Sequence, residues 1–232
     1  MNIAIIGYGQ MGKKIDALAT ANGYTITHRI NNLQDLQAAD FEPDTVAIEF
    51  SRPESCINNV RILSEKGINT VIGTTGWYDD MAEIEKISLE HNVGILWSAN
   101  FSLGVNIFAK ILEPLSAALT SNGYGTKLHE IHHTKKKDAP SGTGIMLAER
   151  INFPVEQITS AREGEVRGIH TVIFENAIDS ITITHSAKSR DGFALGSIAC
   201  ADWLNGKQGF YGMEDYLAES LPALFLKELT QK

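Results

Sequence analysis

The chain has 232 residues, 43% of them hydrophobic and 21% charged, the composition of a globular protein long enough to bury a substantial core in one large or two small domains. A net charge of -8 and a pI near 5.4 argue against a general nucleic-acid surface, which needs a basic face, and against any nucleic-acid partner. Cys56 and Cys200 stand alone, without framework or metal-ligand spacing, as expected of a reducing cytoplasm. The N-terminus enters Ile3-Ala4-Ile5-Ile6 without a secretory signal, and no apolar run reaches the roughly 18 residues of a membrane span, so no membrane partner is expected.

Up to about residue 100, short apolar runs alternate with amphipathic stretches, the pattern of βα units on a parallel sheet. Strands are expected at Asn2 to Ile6, Thr25 to Ile30, Thr45 to Phe50, Thr70 to Gly73 and Gly94 to Trp97. Helices are expected at Gln10 to Ala21, Pro53 to Lys66 and Asp79 to His91, the first stopping at Asn22-Gly23 and the second at Gly67. A long helix from Leu103 to Leu119 then leads out of this domain.

The style changes after it. Leu128 to His133, Gly168 to Glu175 and Ser180 to His185 read as longer strands with period-two alternation, and helices begin near Ser141 and Phe193. The fold class is α/β: a doubly wound, Rossmann-like domain over 1–101 with 207–232, and an α+β mixed-sheet domain over 102–206. The segment from Glu214 to Lys232 is expected to be helical.

Gly7-Tyr8-Gly9-Gln10-Met11-Gly12 follows the first strand and opens the first helix, where glycines permit a tight turn and close approach of a pyrophosphate to the helix N-terminus. The plainer reading is a glycine-rich turn with no ligand. An acid usually ends the second strand and binds the ribose 2′-hydroxyl. Here Arg29 and Asn31 occupy that region; Asn31 does not repel a phosphate and Arg29 can pair with one, so NADPH should serve at least as well as NADH. Gly73-Thr74-Thr75-Gly76 and Ser98-Ala99-Asn100-Phe101 end the fourth and fifth strands, at the edge where open α/β sheets bind ligands. Each alone reads better as a plain sheet-to-helix connection, and their joint position at that edge shifts the balance towards nicotinamide contact.

The segment Glu130-Ile131-His132-His133-Thr134-Lys135-Lys136-Lys137-Asp138-Ala139-Pro140-Ser141-Gly142-Thr143 collects two imidazoles, three ammonium groups and a helix start. On a strand, Glu130 and His132 face one way while His129, Ile131 and His133 face the other, so the adjacent histidines cannot share one task. No metal is expected, because the spacing is not that of a zinc motif and three lysines follow at once. Three lysines ordinarily form a solvated loop. The N-cap candidate Ser141 and the bare backbone at Gly142 instead point to a carboxylate held at a helix N-terminus beside a proton source.

These residues resemble the signature of the 4-hydroxy-tetrahydrodipicolinate reductase (dihydrodipicolinate reductase) family of diaminopimelate and lysine biosynthesis. The likeness extends to the N-terminal glycine turn, Gly73 to Gly76, Ala99 to Ser102 with Gly104-Val105-Asn106, and Ile183-Thr184-His185 running into Arg190 and Phe193. It implies His132 as acid/base residue and Lys136 as proton donor. Substrate carboxylates would be held by His133, Lys136, Ser141, Gly142 and Thr143. NADPH or NADH would be held by Gly7 to Gly12, Gly73, Thr74, Thr75, Ser98, Ala99, Asn100 and Phe101. It further implies a cyclic imine dicarboxylate substrate and a homotetramer built through the second domain. The chain departs from the family pattern in lacking the acid after the second strand and in a shortened stretch over 153–168. Two other readings are compatible with the architecture: a reductase of an aldehyde or sugar, and a non-catalytic NAD(P)-sensing protein.

Overall fold

The computed structural model describes residues 1–221; of the helix expected from Glu214 to Lys232, only the part before residue 222 lies among the described residues. In chain order the first elements are β1 (Asn2–Ile6), α1 (Gln10–Ala21), β2 (Thr25–Ile30), α2 (Leu33–Ala38) and β3 (Thr45–Glu49). They are followed by α3 (Pro53–Glu65), β4 (Asn69–Ile72), α4 (Met81–His91) and β5 (Gly94–Trp97). Next come α5 (Leu103–Thr120), β6 (Gly125–His132), α6 (Gly142–Arg150), β7 (Thr159–Arg162), β8 (Ile169–Glu175) and β9 (Ser180–Ser186). The last are α7 (Asp191–Leu204), β10 (Gly209–Gly212) and α8 (Met213–Ser220). The chain divides into two compact units, one formed by Met1–Ser102 with the residues from Phe193 on, the other by Leu103–Gly192.

The first unit holds a six-stranded sheet in the order β10-β5-β4-β3-β1-β2, parallel throughout. Its central strands are apolar on both faces: Ile3, Ala4, Ile5, Val46, Ala47, Ile48 and Val71 are fully buried, as a sheet covered by helices on both sides requires. Ala4, Ile6 and Ala47 pack on Ile62 and Leu63 of α3 and on Leu36 of α2. Cys56 and Val60 of α3 join Ile72, Ile84, Ile87 and Ile95 in a second cluster. The predicted stops hold, for Gly23 and Gly67 take positive φ of 84° and 73° and return their N–H groups to Thr20 and Ser64, closing the helices as left-handed glycines do. Asn69 binds the end of this sheet together: its side-chain nitrogen donates to the carbonyls of Leu204 and Lys207, while its oxygen accepts from Gly94 N–H.

Three elements go beyond the sequence reading. The helix α2 has one fully buried side chain, Leu36, so it carries no visible helical period; Asn32 caps it by accepting from Asp35 N–H. The strands β7 and β10 have four residues each and no fully buried member. Pairing, and not hydrophobic alternation, defines them.

In the second unit a mixed sheet runs β7-β6-β8-β9, with β7 parallel to β6 and the other pairs antiparallel. Leu128, Val172 and Phe174 form its inner face against Phe108, Ala109 and Leu112 of α5 and Leu147 and Ala148 of α6. One helix among the described residues, α5, has 18 residues and the mean hydropathy of a membrane span. Its sequence includes Lys110 and Glu113, and one face of it lies in the core of this unit, so its apolar composition has a packing reason.

Candidate active site

The turns at Gly7 to Gly12, Gly73 to Gly76 and Ser98 to Phe101 lie at the carboxyl ends of the parallel strands β1, β4 and β5. The strand order reverses at β1, whose neighbours are β2 and β3, and ligands of open α/β sheets occupy the crevice at such a point. Gly7 leaves β1 with φ of +92°, and a Cβ there would lie 2.1 Å from the Phe50 carbonyl oxygen. A Cβ on Gly12 would lie 2.3 Å from the Gly7 carbonyl oxygen. These two glycines are thus required by packing alone. Gly9 is exposed and has open space beside it, leaving the turn's backbone approachable at the start of α1. Tyr8 and Met11 flank it half-buried, and Gln10 is exposed. The turn therefore fits a dinucleotide pyrophosphate.

Asn31 and Arg29 each have a partner within this unit. The Asn31 side-chain oxygen accepts from Tyr8 N–H at 2.5 Å, tying the end of β2 to the glycine turn. Arg29 donates twice to Asp16 of α1, from Nε at 2.5 Å and Nη2 at 2.9 Å, and the Tyr8 hydroxyl donates to the same carboxylate at 2.5 Å. The Arg29 guanidinium, aided by the Tyr8 hydroxyl, holds Asp16 below the usual carboxylate range against the opposing effect of burial.

Farther along the edge, a Cβ on Gly73 would lie 2.1 Å from the Phe50 ring. Thr74 accepts from Ser51 N–H through its hydroxyl and from the Trp77 indole through its carbonyl, and Thr75 is exposed. Ser98 and Asn100 turn the chain after β5: the Ser98 hydroxyl bonds the Asn100 backbone, and Asn100 Oδ1 accepts from Ser102 N–H. Ala99 is exposed and Phe101 buried. Beneath these turns lies Glu49, fully buried at the end of β3, which accepts from the Ser51 hydroxyl and from Asn59. Burial raises its carboxyl above the ordinary value. The sequence signal for Glu49 is an acid at the end of the apolar run Val46-Ala47-Ile48.

The second unit gathers the remaining residues around β6. Strand alternation behaves as expected: Leu128, Glu130 and His132 point inward, and Ile131 and His133 are half-buried. Past the strand, the three lysines differ. Lys135 pairs at the surface with Glu165 and Lys137 is exposed. Lys136 is only 21% exposed at its side chain and bonds both oxygens of Asp138, at 2.9 and 2.8 Å. Arg162 of β7, which the sequence did not single out, holds this turn by donating to the carbonyls of Lys136 and Asp138. Ser141 caps α6, its hydroxyl accepting from Gly144 N–H at 3.0 Å. Gly142 starts the helix exposed, with Thr143 half-buried behind it.

His132 is 6% exposed. Burial lowers its basicity below that of an ordinary imidazole, Glu130 opposes this, Lys136 and Arg162 reinforce it, and Asp138 opposes it. His170 of β8 stands edge-on to His132 with ring centroids 5.1 Å apart, its pKa lowered to about 4 by burial and by His132. Glu130, His132 and His170 each offer a ligand atom within 4.8 Å of the others, the grouping of a metal centre. Yet the Glu130 carboxylate already accepts from Ser141 and Ser160, and the Arg162 guanidinium lies 3.6 Å from one of its oxygens. Those partners suit an anion that is already neutralised rather than one awaiting a cation.

Residues 1–101 match the family model described as "Dihydrodipicolinate reductase, N-terminus", and residues 104–217 match "Dihydrodipicolinate reductase, C-terminus". The chain is 37% identical over 236 residues to the 4-hydroxy-tetrahydrodipicolinate reductase of Christiangramia forsetii, covering 94% of this chain and 98% of that protein. It is 39% identical over 199 residues to the enzyme of the same name from Methanocaldococcus jannaschii, covering 76% of this chain and 72% of that protein. The fold is shared with a dipicolinate-bound dihydrodipicolinate reductase from Paenisporosarcina sp. TG-14, at a TM-score of 0.72 and 18% identity, covering 93% of this chain and 98% of that one. With both halves of the chain matched in order and the Christiangramia forsetii enzyme aligned nearly end to end, this protein belongs to the dihydrodipicolinate reductase family.

Proposed function

We propose that this chain catalyses the NAD(P)H-dependent reduction of 4-hydroxy-tetrahydrodipicolinate to tetrahydrodipicolinate, in which the ring gains a hydride and a proton and its 4-hydroxyl leaves as water, the first unit binding the dinucleotide and the second the cyclic dicarboxylate. The observation that carries this reading is the arrangement around β6, where a half-buried lysine with its own carboxylate partner, a buried histidine and a capped helix start occur in one short segment. The bound nicotinamide supplies the hydride. Lys136 supplies the proton, and His132 serves the acid/base steps. His133, Lys136 and the helix start at Ser141, Gly142 and Thr143 hold the substrate carboxylates, which explains why an acidic protein keeps this cluster of cations. Turnover of the hydroxylated substrate with oxidation of the nucleotide is the direct test.

The nucleotide is held by Gly7 to Gly12, by Gly73 to Thr75 and by Ser98 to Phe101, with Arg29 and Asn31 beside the ribose. Both NADH and NADPH are used. Arg29 supplies a cation for a 2′-phosphate, but Asp16 neutralises it through two hydrogen bonds, which limits the advantage of NADPH. Asp16→Asn should therefore raise the NADPH-to-NADH ratio of kcat/KM by roughly tenfold, the worth of one charge-assisted interaction. An unchanged ratio in steady-state kinetics would reject this role for the Asp16 and Arg29 pair. The chain further assembles as a homotetramer through the second unit. In support, the sheet face opposite α5 and α6 carries Ile131, Thr171 and Ile173 half-buried and Thr182 and Thr184 exposed.

A further inference from the structure

Glu130 is fully buried, a costly place for a carboxylate unless every lone pair is met. Its two oxygens accept from Ser141 N–H at 3.1 and 3.0 Å, from the Ser141 hydroxyl, and from the Ser160 hydroxyl at 3.1 Å. The same oxygens lie 3.7 Å from His132 Nδ1 and 3.7 Å from His170 Nε2. It also lies against the first turn of α6, where a Cβ on Gly144 would come within 2.6 Å of its Oε2.

Counting protons at Ser141 fixes what this network can do. The hydroxyl has one proton, which goes to Glu130, and its lone pairs receive Gly144 N–H and His170 Nε2 at 3.1 Å. His170 must then carry its proton on Nε2, which leaves Nδ1 a bare acceptor, and that atom is buried without a hydrogen-bond partner among the described residues. The Ser141 hydroxyl is thus saturated within the protein and has no proton left for a substrate carboxylate.

We propose that Glu130 is a positioning residue, which sets the helix start at Ser141 through hydrogen bonds and places its negative charge 3.7 Å from the His132 ring. Ser141 acts on the substrate through the backbone it places rather than through its hydroxyl. This inference rests on the substrate reading of the second unit given above. The groups facing His132 are Glu130 on its own strand, Lys136 and Asp138 on the following turn, Arg162 on β7 and His170 on β8, with His185 of β9 acting on His170. Of these, Glu130 does most to favour the imidazolium, so its neutralisation lowers the His132 pKa.

The test is Glu130→Gln, which keeps the shape but offers one acceptor oxygen to the Ser141 N–H, the Ser141 hydroxyl and the Ser160 hydroxyl, which the carboxylate serves with two. In the folded variant KM for the dicarboxylate substrate should rise about tenfold, from one unmet buried donor. The limb of the kcat/KM pH profile set by His132 should move to lower pH, while the nucleotide Kd is kept. Loss of packing alone does not move that limb. Wild-type protein without turnover would remove the substrate reading itself; wild-type turnover with both KM and the limb unmoved in the variant overturns only the positioning role. Nitrogen-15 NMR of wild-type His170 serves even if the variant does not fold. The Nε2–H tautomer is expected at neutral pH, and the Nδ1–H tautomer would break the chain of hydrogen bonds and overturn the proposal.

Discussion

Replacing Lys136 with alanine should lower kcat by about 10²–10⁴-fold, the range lost when a positioned proton donor is removed. The ammonium group is held by both oxygens of Asp138 and is largely shielded from water, so no neighbouring lysine replaces it: Lys135 is paired with Glu165 and Lys137 is exposed. The substrate KM should also rise, because the same charge offsets a carboxylate. Lys136→Arg separates the two effects. It keeps the cation but holds its proton too tightly to give up at neutral pH, so kcat should fall while KM changes less. Nucleotide affinity should be unaltered in both variants, since Lys136 belongs to the second unit. Steady-state kinetics with a parallel nucleotide titration decides the matter, and a near-normal kcat in Lys136→Ala would rule out Lys136 as the donor.

His132→Ala should cost about 10²-fold or more in kcat. The ring is almost fully buried, and burial keeps it neutral to lower pH than a free imidazole, although Glu130 works against this. A neutral ring at working pH can accept as well as donate a proton, which suits a residue that assists acid/base steps. The alanine variant also leaves a gap beside Gly168, where a Cβ would lie 3.1 Å from His132 Nε2, so thermal denaturation should accompany the kinetics. A kcat near that of the wild type, in a variant that melts normally, would contradict the assignment.

Much of the first unit was legible because its physics is local. Buried parallel strands are short and apolar throughout, and Gly7, Gly23 and Gly67 mark turns that only positive φ permits. The short elements were not legible for the converse reason. α2 has a single fully buried anchor, and β7 is defined by pairing with β6, and neither fact leaves a period in the sequence.

At the candidate site, strand alternation alone separates Glu130 and His132 from His133. It did not show that Glu130 reaches Ser141 and Ser160, because those partners come from the start of α6 and from β7. Composition and spacing alone left the three lysines equivalent, and only the resemblance distinguished Lys136; burial and Asp138 now give a physical reason for the difference. The sequence leaves Arg29 available to a phosphate because its partner, Asp16, lies on the preceding helix and carries no motif that announces it.

The most direct measurement of the central claim is oxidation of NADPH and of NADH by the purified full chain in the presence of freshly generated 4-hydroxy-tetrahydrodipicolinate. Turnover with both nucleotides that depends on this substrate, and formation of tetrahydrodipicolinate in equal amount to the nucleotide consumed, is the predicted result. Absence of turnover with either nucleotide, while the chain reduces an aldehyde or a sugar or binds nucleotide without catalysis, would contradict it.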